Sequence, residues 1–180
     1  MKLKPASLWE NLAKGAQNAL AVITEVHEEW ERRFGRKHAP LIERYRMEDA
    51  EYAIMTIGSM TGAAKDAVDE ARARGDKVGL VKVKTYRPFP AQALAAALAD
   101  VRGVGVVDPS VSFGWNCGPL FQDTITAMFY APKRIPALSF IGGLAGADLT
   151  VGHFERVIRR TAELARDGHA AETVWLNEKD

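Results

Sequence analysis

Between Leu8 and Phe34 apolar residues return at three- and four-residue steps: Leu8, Leu12, Ala16, Ala19, Ile23, Val26, Trp30 and Phe34. That spacing gathers them on one stripe of a single long helix. At ~1.5 Å per residue the helix would run about 40 Å, more than a small domain needs to cover its own core. The stripe therefore predicts a second surface to bury it, in this domain or on a partner. Gly35 is placed to stop the helix. Residues Arg36 to Asp49 then read as a polar connector with scattered anchors at Leu41, Ile42, Tyr45 and Met47.

From Tyr52 the pattern changes to short apolar runs alternating with amphipathic helices. Tyr52–Ile57, Lys77–Val83, Val104–Val107 and Ala137–Ile141 are runs of strand length, and Thr173–Leu176 could add a short edge strand. Between them, Ala64, Ala67, Val68 and Ala71 share one helical face, with Gly75 as its stop. Pro90 suits a first helical position, ahead of Leu94, Ala97, Leu98 and Val101. Pro119 opens a helix with Leu120, Ile125, Met128 and Phe129, and Phe154, Val157, Ile158, Thr161 and Leu164 line the last one. Strand and helix alternating in this way imply an α/β fold, a mainly parallel sheet with helices on both faces. The near-continuous apolar strands agree, since both faces of such a sheet are covered. Residues 1–50 are thus a long helix and connector, and 51–180 the α/β domain.

Composition narrows the function more than the fold. The 180 residues carry 24 Lys+Arg against 23 Asp+Glu, so no whole-molecule field favours nucleic acid or an anionic membrane. A 47% hydrophobic content excludes a disordered chain. The start MKLKPASLW lacks a signal-peptide core, and no apolar run approaches a membrane span. A cytoplasmic protein is the expectation. Cys117 is the lone cysteine, which rules out an intrachain disulfide or a cysteine-built metal site.

Ligands of open α/β sheets bind beyond the carboxyl ends of the strands. The segments there are Gly58–Gly62, Thr85–Pro90, Asp108–Gly118 and Gly142–Thr150, rich in glycine and small hydroxyl residues. Gly58, Ser59, Thr61, Gly62, Arg87, Asp108 and Ser112 are the candidates for holding an anion or other ligand. For Gly58–Gly62 the simpler reading is a strand-to-helix turn, with Ser59 or Thr61 capping the helix. Asp108 could orient a ligand hydroxyl or accept hydrogen bonds from the loop Pro109–Gly114. Neither G-x-G-x-x-G nor G-x-x-x-x-G-K-[ST] occurs, which argues against a self-contained dehydrogenase or NTPase. His27, His38, His153 and His169 share no metal-ligand spacing and read as surface histidines. Cys117 precedes a helix start that could activate a thiol, but a packed, inert cysteine is the simpler reading. No catalytic constellation and no metal site emerges.

Three ordered blocks, Glu43-Arg44-Tyr45-Arg46-Met47-Glu48-Asp49-Ala50, Thr56-Ile57-Gly58-Ser59 and Val83-Lys84-Thr85-Tyr86-Arg87-Pro88-Phe89-Pro90, are similar to the α subunit of pyruvate and related 2-oxoacid:ferredoxin oxidoreductases. Asp108 with Ser112-Phe113-Gly114, Gly118-Pro119-Leu120 and Gly143–Asp148 resemble later blocks of the same region. The resemblance implies a Rossmann-like domain related to the C-terminal domain of transketolase. It implies a reaction in which a 2-oxoacid such as pyruvate is oxidatively decarboxylated with coenzyme A to an acyl-CoA, electrons passing to ferredoxin. Thiamine diphosphate, Mg and iron–sulfur clusters are then expected in the complete enzyme, on thiamine-binding and ferredoxin-like domains or subunits, and none on this chain alone. This region would be a C-terminal fragment or split piece of the α subunit, serving assembly and inactive without its partners. Two basic residues common in relatives are replaced here, by Pro109 and by Ala147. Two other readings remain open. One is a stand-alone module binding an anionic metabolite at Gly58–Gly62. The other is a non-enzymatic interaction domain docking through the long helix, which could also form a homodimer.

Overall fold

The computed structural model describes residues 5–168 and 172–177. The long helix is α1, Pro5–Phe34, ending before Gly35 at φ +66°. Then follow β1 (Ile42–Tyr45), β2 (Tyr52–Ile57), α2 (Thr61–Ala73), β3 (Val78–Val83), α3 (Ala91–Ala97), β4 (Val104–Asp108), α4 (Pro119–Phe129), β5 (Ala137–Ile141), α5 (Val151–Asp167) and β6 (Val174–Trp175). One six-stranded sheet has the order β1-β3-β2-β4-β5-β6. Every neighbouring pair is parallel except β1 with β3.

The mainly parallel α/β architecture expected from the pattern is present. Alternation along the strands sorts side chains to two cores. Ile54, Leu80, Val107 and Phe140 face α2 and α5, while Ala53, Met55, Val81 and Val106 face α3 and α4. Each fully buried Leu, Ile, Val or Phe side chain contributes about 1.5–3 kcal/mol, so these two layers carry the fold. At the centre, α5 lies so close to β4 that a Cβ on Gly105 would overlap the Thr161 hydroxyl.

The segment read as a connector departs from expectation. Residues Ile42–Tyr45 form β1, antiparallel to β3 with Ile42 opposite Val83 and Tyr45 opposite Leu80. Its strand pattern is weak because a polar residue interrupts it at both Glu43 and Arg44, as suits a sheet edge. Two smaller differences concern α3. Pro90 sits just before the helix rather than in its first turn, and the helix ends at Ala97, although Leu98 and Val101 are still buried.

Candidate functional site

In the strand order, the direction of winding reverses between β2 and β4, which leaves a crevice beyond their carboxyl ends, the usual ligand position in such sheets. A cleft of 340 Å³ lies there, lined by Ser59, Met60, Ala63, Pro109, Gly143 and the segment Gly146–Leu149. Of the seven candidate residues only Ser59 lines it. The lining holds one carboxylate, Asp148, and no lysine or arginine, so an anion would have to rely on the N-terminus of α2.

The Gly58–Gly62 turn is built largely for itself. Gly58 has φ +76°, a conformation that favours glycine. The Thr61 hydroxyl points inward, donating to the Gly58 carbonyl at 2.9 Å and lying 3.0 Å from the Thr56 hydroxyl. The Gly62 N–H donates to the Ser59 carbonyl at 3.2 Å. No side chain caps α2, so the expected capping by Ser59 or Thr61 is not what holds its start. Space in front of Gly62 is open, and Ser59 is exposed.

Asp108 does not face the cleft. It is 1% exposed, and its carboxylate accepts the Phe121 N–H at 3.0 Å, with a further hydrogen bond from the Leu120 N–H. The hydrogen bonds expected from Pro109–Gly114 come instead from the first turn of α4, where unpaired N–H groups need an acceptor. Burial pushes the Asp108 pKa up to about 6 against the opposing pull of those hydrogen bonds. Ser112 donates to the Gln122 side chain at 2.8 Å and bridges Cys117 through its backbone. That bridge closes a tight hairpin whose tip holds Phe113 and Trp115 in solvent, at 93% and 74% exposure. Polarity and spacing single out neither aromatic. A clue was their place in a glycine-containing loop, outside any apolar period.

Arg87 stands apart, on the α3 and α4 side of the sheet. Its guanidinium pairs with Asp123 at 2.8 Å and stacks 4.1 Å over the Tyr86 ring. The structure therefore separates Arg87 and the buried Asp108 from the Gly58–Gly62 turn. Cys117 is buried, and its thiol pKa is raised by burial and then by the negative charge of Asp108, which fits the inert reading. Two of the histidines are half-buried and tied to their own helices: His27 lies 2.8 Å from the Ile23 carbonyl, and His153 accepts the Thr150 N–H at 3.0 Å at the start of α5. His38 is exposed, and His169 lies outside the described residues. Among the described residues no cluster of His, Cys, Asp or Glu could hold a metal ion.

Residues 50–154 match the family model of pyruvate:ferredoxin oxidoreductase core domain II. The chain belongs to that family. It is 58% identical over 168 residues to the NADH-dependent phenylglyoxylate dehydrogenase subunit alpha of Aromatoleum evansii, covering 93% of this chain and 40% of that subunit. It is 35% identical over 164 residues to the pyruvate synthase subunit PorA of Methanosarcina barkeri, covering 91% and 41%. Against the ketoisovalerate oxidoreductase subunit VorA of Pyrococcus horikoshii the identity is 35% over 167 residues, covering 91% and 42%. The chain thus spans about two fifths of the length of these curated relatives. Two solved structures share the fold. A split-gene transketolase, an inactive β4 tetramer, has TM-score 0.57 and 16% identity, covering 73% of this chain and 44% of its own. The 2-oxoglutarate:ferredoxin oxidoreductase of Magnetococcus marinus has TM-score 0.52 and 21% identity, covering 91% and 24%.

Just ahead of the matched region, the block Glu43–Ala50 serves to tie the edge strand down. Glu43 pairs with Lys65 of α2, Tyr45 donates to Asp69 at 2.6 Å, Arg46 pairs with Asp69 at 3.1 Å, and Asp49 pairs with Arg72. Met47 and Ala50 close over Gly79 of β3, leaving no room for a side chain there. This block reads as architecture rather than chemistry.

Proposed function

We propose that this chain is an assembly domain of the α subunit of a thiamine-diphosphate-dependent 2-oxoacid oxidoreductase and is inactive without its partner domains. The observation that carries the reading is the 58% identity, across 93% of the chain, to the alpha subunit of phenylglyoxylate dehydrogenase. The site geometry supports it, because the strand-edge residues serve the fold and make no nucleophile–base pair. The complete enzyme would decarboxylate a 2-oxoacid oxidatively with coenzyme A and pass the electrons to ferredoxin or another acceptor. Pyruvate is one candidate substrate, and the degree of identity puts phenylglyoxylate, an aryl 2-oxoacid, ahead of it.

The described residues do not fit the cofactors of such an enzyme. A single buried Cys117 cannot ligate an iron–sulfur cluster, and the crevice offers neither a cation for a diphosphate nor an acidic cluster for Mg. Those groups belong to thiamine-binding and ferredoxin-like partners in this reading, and the assembly to the cytoplasm. Among the described residues no helix is long and apolar enough to cross a membrane. Residues 51–180 would be the transketolase C-terminal-like unit, with β1 reaching into it from the preceding segment. An anionic metabolite at Gly58, Ser59, Thr61 and Gly62 is the weaker alternative, given walls that hold Asp148 and no lysine or arginine.

The test is an anaerobic pull-down of the tagged chain from its native extract. Recovered complexes are assayed for coenzyme A-dependent reduction of ferredoxin, viologen or NAD with pyruvate, 2-oxoisovalerate and phenylglyoxylate. Activity in the complex and none in the chain alone is expected. Oxidation of a 2-oxoacid by the purified chain, or a chain that captures no thiamine-bearing partner, overturns the proposal.

A further inference from the structure

Three segments meet near the C-terminal end of α1. The Lys84 and Thr85 N–H groups both donate to the Leu41 carbonyl, at 2.9 and 3.0 Å, and the Thr85 hydroxyl donates to the Pro40 carbonyl at 2.9 Å. Those bonds pin the chain ahead of β1 to the end of β3, and His38 comes to lie across a cavity from Lys84. Helix α1 supplies the third wall. Its Leu20 and Thr24 stand opposite Leu41 and Phe89–Ala93, and the next two turns bring in Val26, His27 and Trp30.

The cavity measures 390 Å³ and is lined by Val26, His27, Trp30, His38 and Lys84. Its size is that of a small-molecule site, and so is its make-up, apolar and aromatic surface with a few polar groups set in it. Trp30 is 47% exposed, and its ring centre lies 4.3 Å from that of Phe34. A broad aromatic surface is thus left in water beside the polar groups.

Those polar groups are all of one kind. His27, His38 and Lys84 can each carry positive charge, and no carboxylate lines the cavity. The His27 Nδ1 lies 2.8 Å from the Ile23 carbonyl. A carbonyl only accepts, so Nδ1 carries the hydrogen and Nε2 is the nitrogen left for a ligand. Lys84 acts on Glu43 through space, but Glu43 is itself paired with Lys65. The surroundings add to the bias. Residues 32–38 contain Arg32, Arg33, Arg36, Lys37 and His38 and no acid. Of the acids on the last turns of α1, Glu29 is paired with Arg33, and Glu31 follows His27 by one turn without lining the cavity. An occupant must be negative at one end to match these cations, and flat and apolar at the other to cover Trp30 and Val26.

We propose that this cavity binds a small aromatic anion, a carboxylate or phosphate carried on a ring. The anionic group sits among Lys84, His38 and the Nε2 of His27, and the ring lies against Trp30 and Val26. The inference does not depend on the oxidoreductase reading, since it uses only the walls of this cavity.

Titration of the isotope-labelled full chain with phenyl phosphate and with benzoate tests it, followed by NMR at the Trp30 indole and at Lys84. Inorganic phosphate supplies the anion without the ring, and benzyl alcohol the ring without the charge. Saturable shifts with a Kd of about 1 mM or tighter are expected for at least one aromatic anion, and the tighter of the two identifies the acid group. Each control should bind about tenfold more weakly or worse. His38 and Lys84 are exposed, so a chain carrying His38→Gln and Lys84→Gln should keep its fold, read from the same spectra, and lose about tenfold in affinity. Trp30→Leu should weaken the aromatic anions and leave inorganic phosphate unchanged. The proposal is overturned by no saturable shift up to about 20 mM, by a control that binds as tightly as the aromatic anions, or by unchanged affinity in either variant. A cavity that takes only an acidic stretch of a partner subunit overturns it as well.

Discussion

The carboxyl group of Asp108 lies directly against Gly118, so that a Cβ at position 118 would collide with it. Gly118 has φ −90° and ψ 160°, extended backbone open to any residue. The requirement for glycine is therefore steric. It comes from bringing the start of α4 down onto the end of β4, where the Asp108 carboxylate takes up N–H groups of the first helical turn. Gly118→Ala should destabilise the domain by about 3 kcal/mol through overpacking, read as a lower urea midpoint at unchanged slope. A loss below 0.5 kcal/mol would show that the loop gives way.

Asp108 also makes a signed prediction about pH. Its folded pKa, pushed up to about 6 by burial, exceeds the ordinary aspartate value of 3.8. Between those limits the folded state binds more protons than the unfolded one. The Asp108 contribution is therefore fully present below the lower value and is lost as pH rises through about 6. Asp108→Asn keeps an acceptor oxygen for the Phe121 N–H and removes the titration. From pH 4 to 7 the wild type should lose about 2 kcal/mol relative to Asp108→Asn. Parallel stability curves for the two proteins would refute the assignment.

Cys117 offers a chemical probe of the same region. Its thiol is buried, and both burial and the Asp108 charge hold it protonated. Labelling by a disulfide reagent at pH 8 should be about a hundredfold slower in the native protein than in denaturant. Fast native labelling would mean that the Ser112–Cys117 hairpin opens readily.

The contact between β4 and α5 supports a double-mutant cycle. A Cβ on Gly105 would overlap the Thr161 hydroxyl and approach the Phe140 ring to 2.9 Å. Gly105→Ala alone should cost about 2–3 kcal/mol. In a Thr161→Ala background the same change should cost at least about 1 kcal/mol less, measured by chemical denaturation, because the new methyl group occupies the vacated space. Additive costs would place the clash elsewhere.

How far the fold was legible follows from the range of each signal. The runs Tyr52–Ile57, Val104–Val107 and Ala137–Ile141 are apolar because both their faces are covered, and this shows within a few residues. Gly35 and Gly75 end α1 and α2 at positive φ, which is again local. Ile42–Tyr45 gave no such sign. Its partner β3 lies some 40 residues away, and only that pairing makes a strand of an Ile-Glu-Arg-Tyr stretch. The ligand candidates suffered in the same way. Position at a strand end picked out Thr61 and Asp108, but a hydroxyl or carboxylate at that place can face the crevice or the fold, and both face the fold.

The alternation of strand and helix after Tyr52, the two-sided sheet, the helix stops and the apolar stripe of α1 were all decided by the sequence itself. Each depends on periodicity or on backbone freedom over one or two helical turns. Tertiary structure alone decided the antiparallel edge strand, the engagement of Asp108 by α4, the distance of Arg87 from the crevice and a crevice wall without lysine or arginine. These depend on which distant segments meet once the sheet has closed, and burial of a polar group is satisfied by whatever donor the fold brings to it.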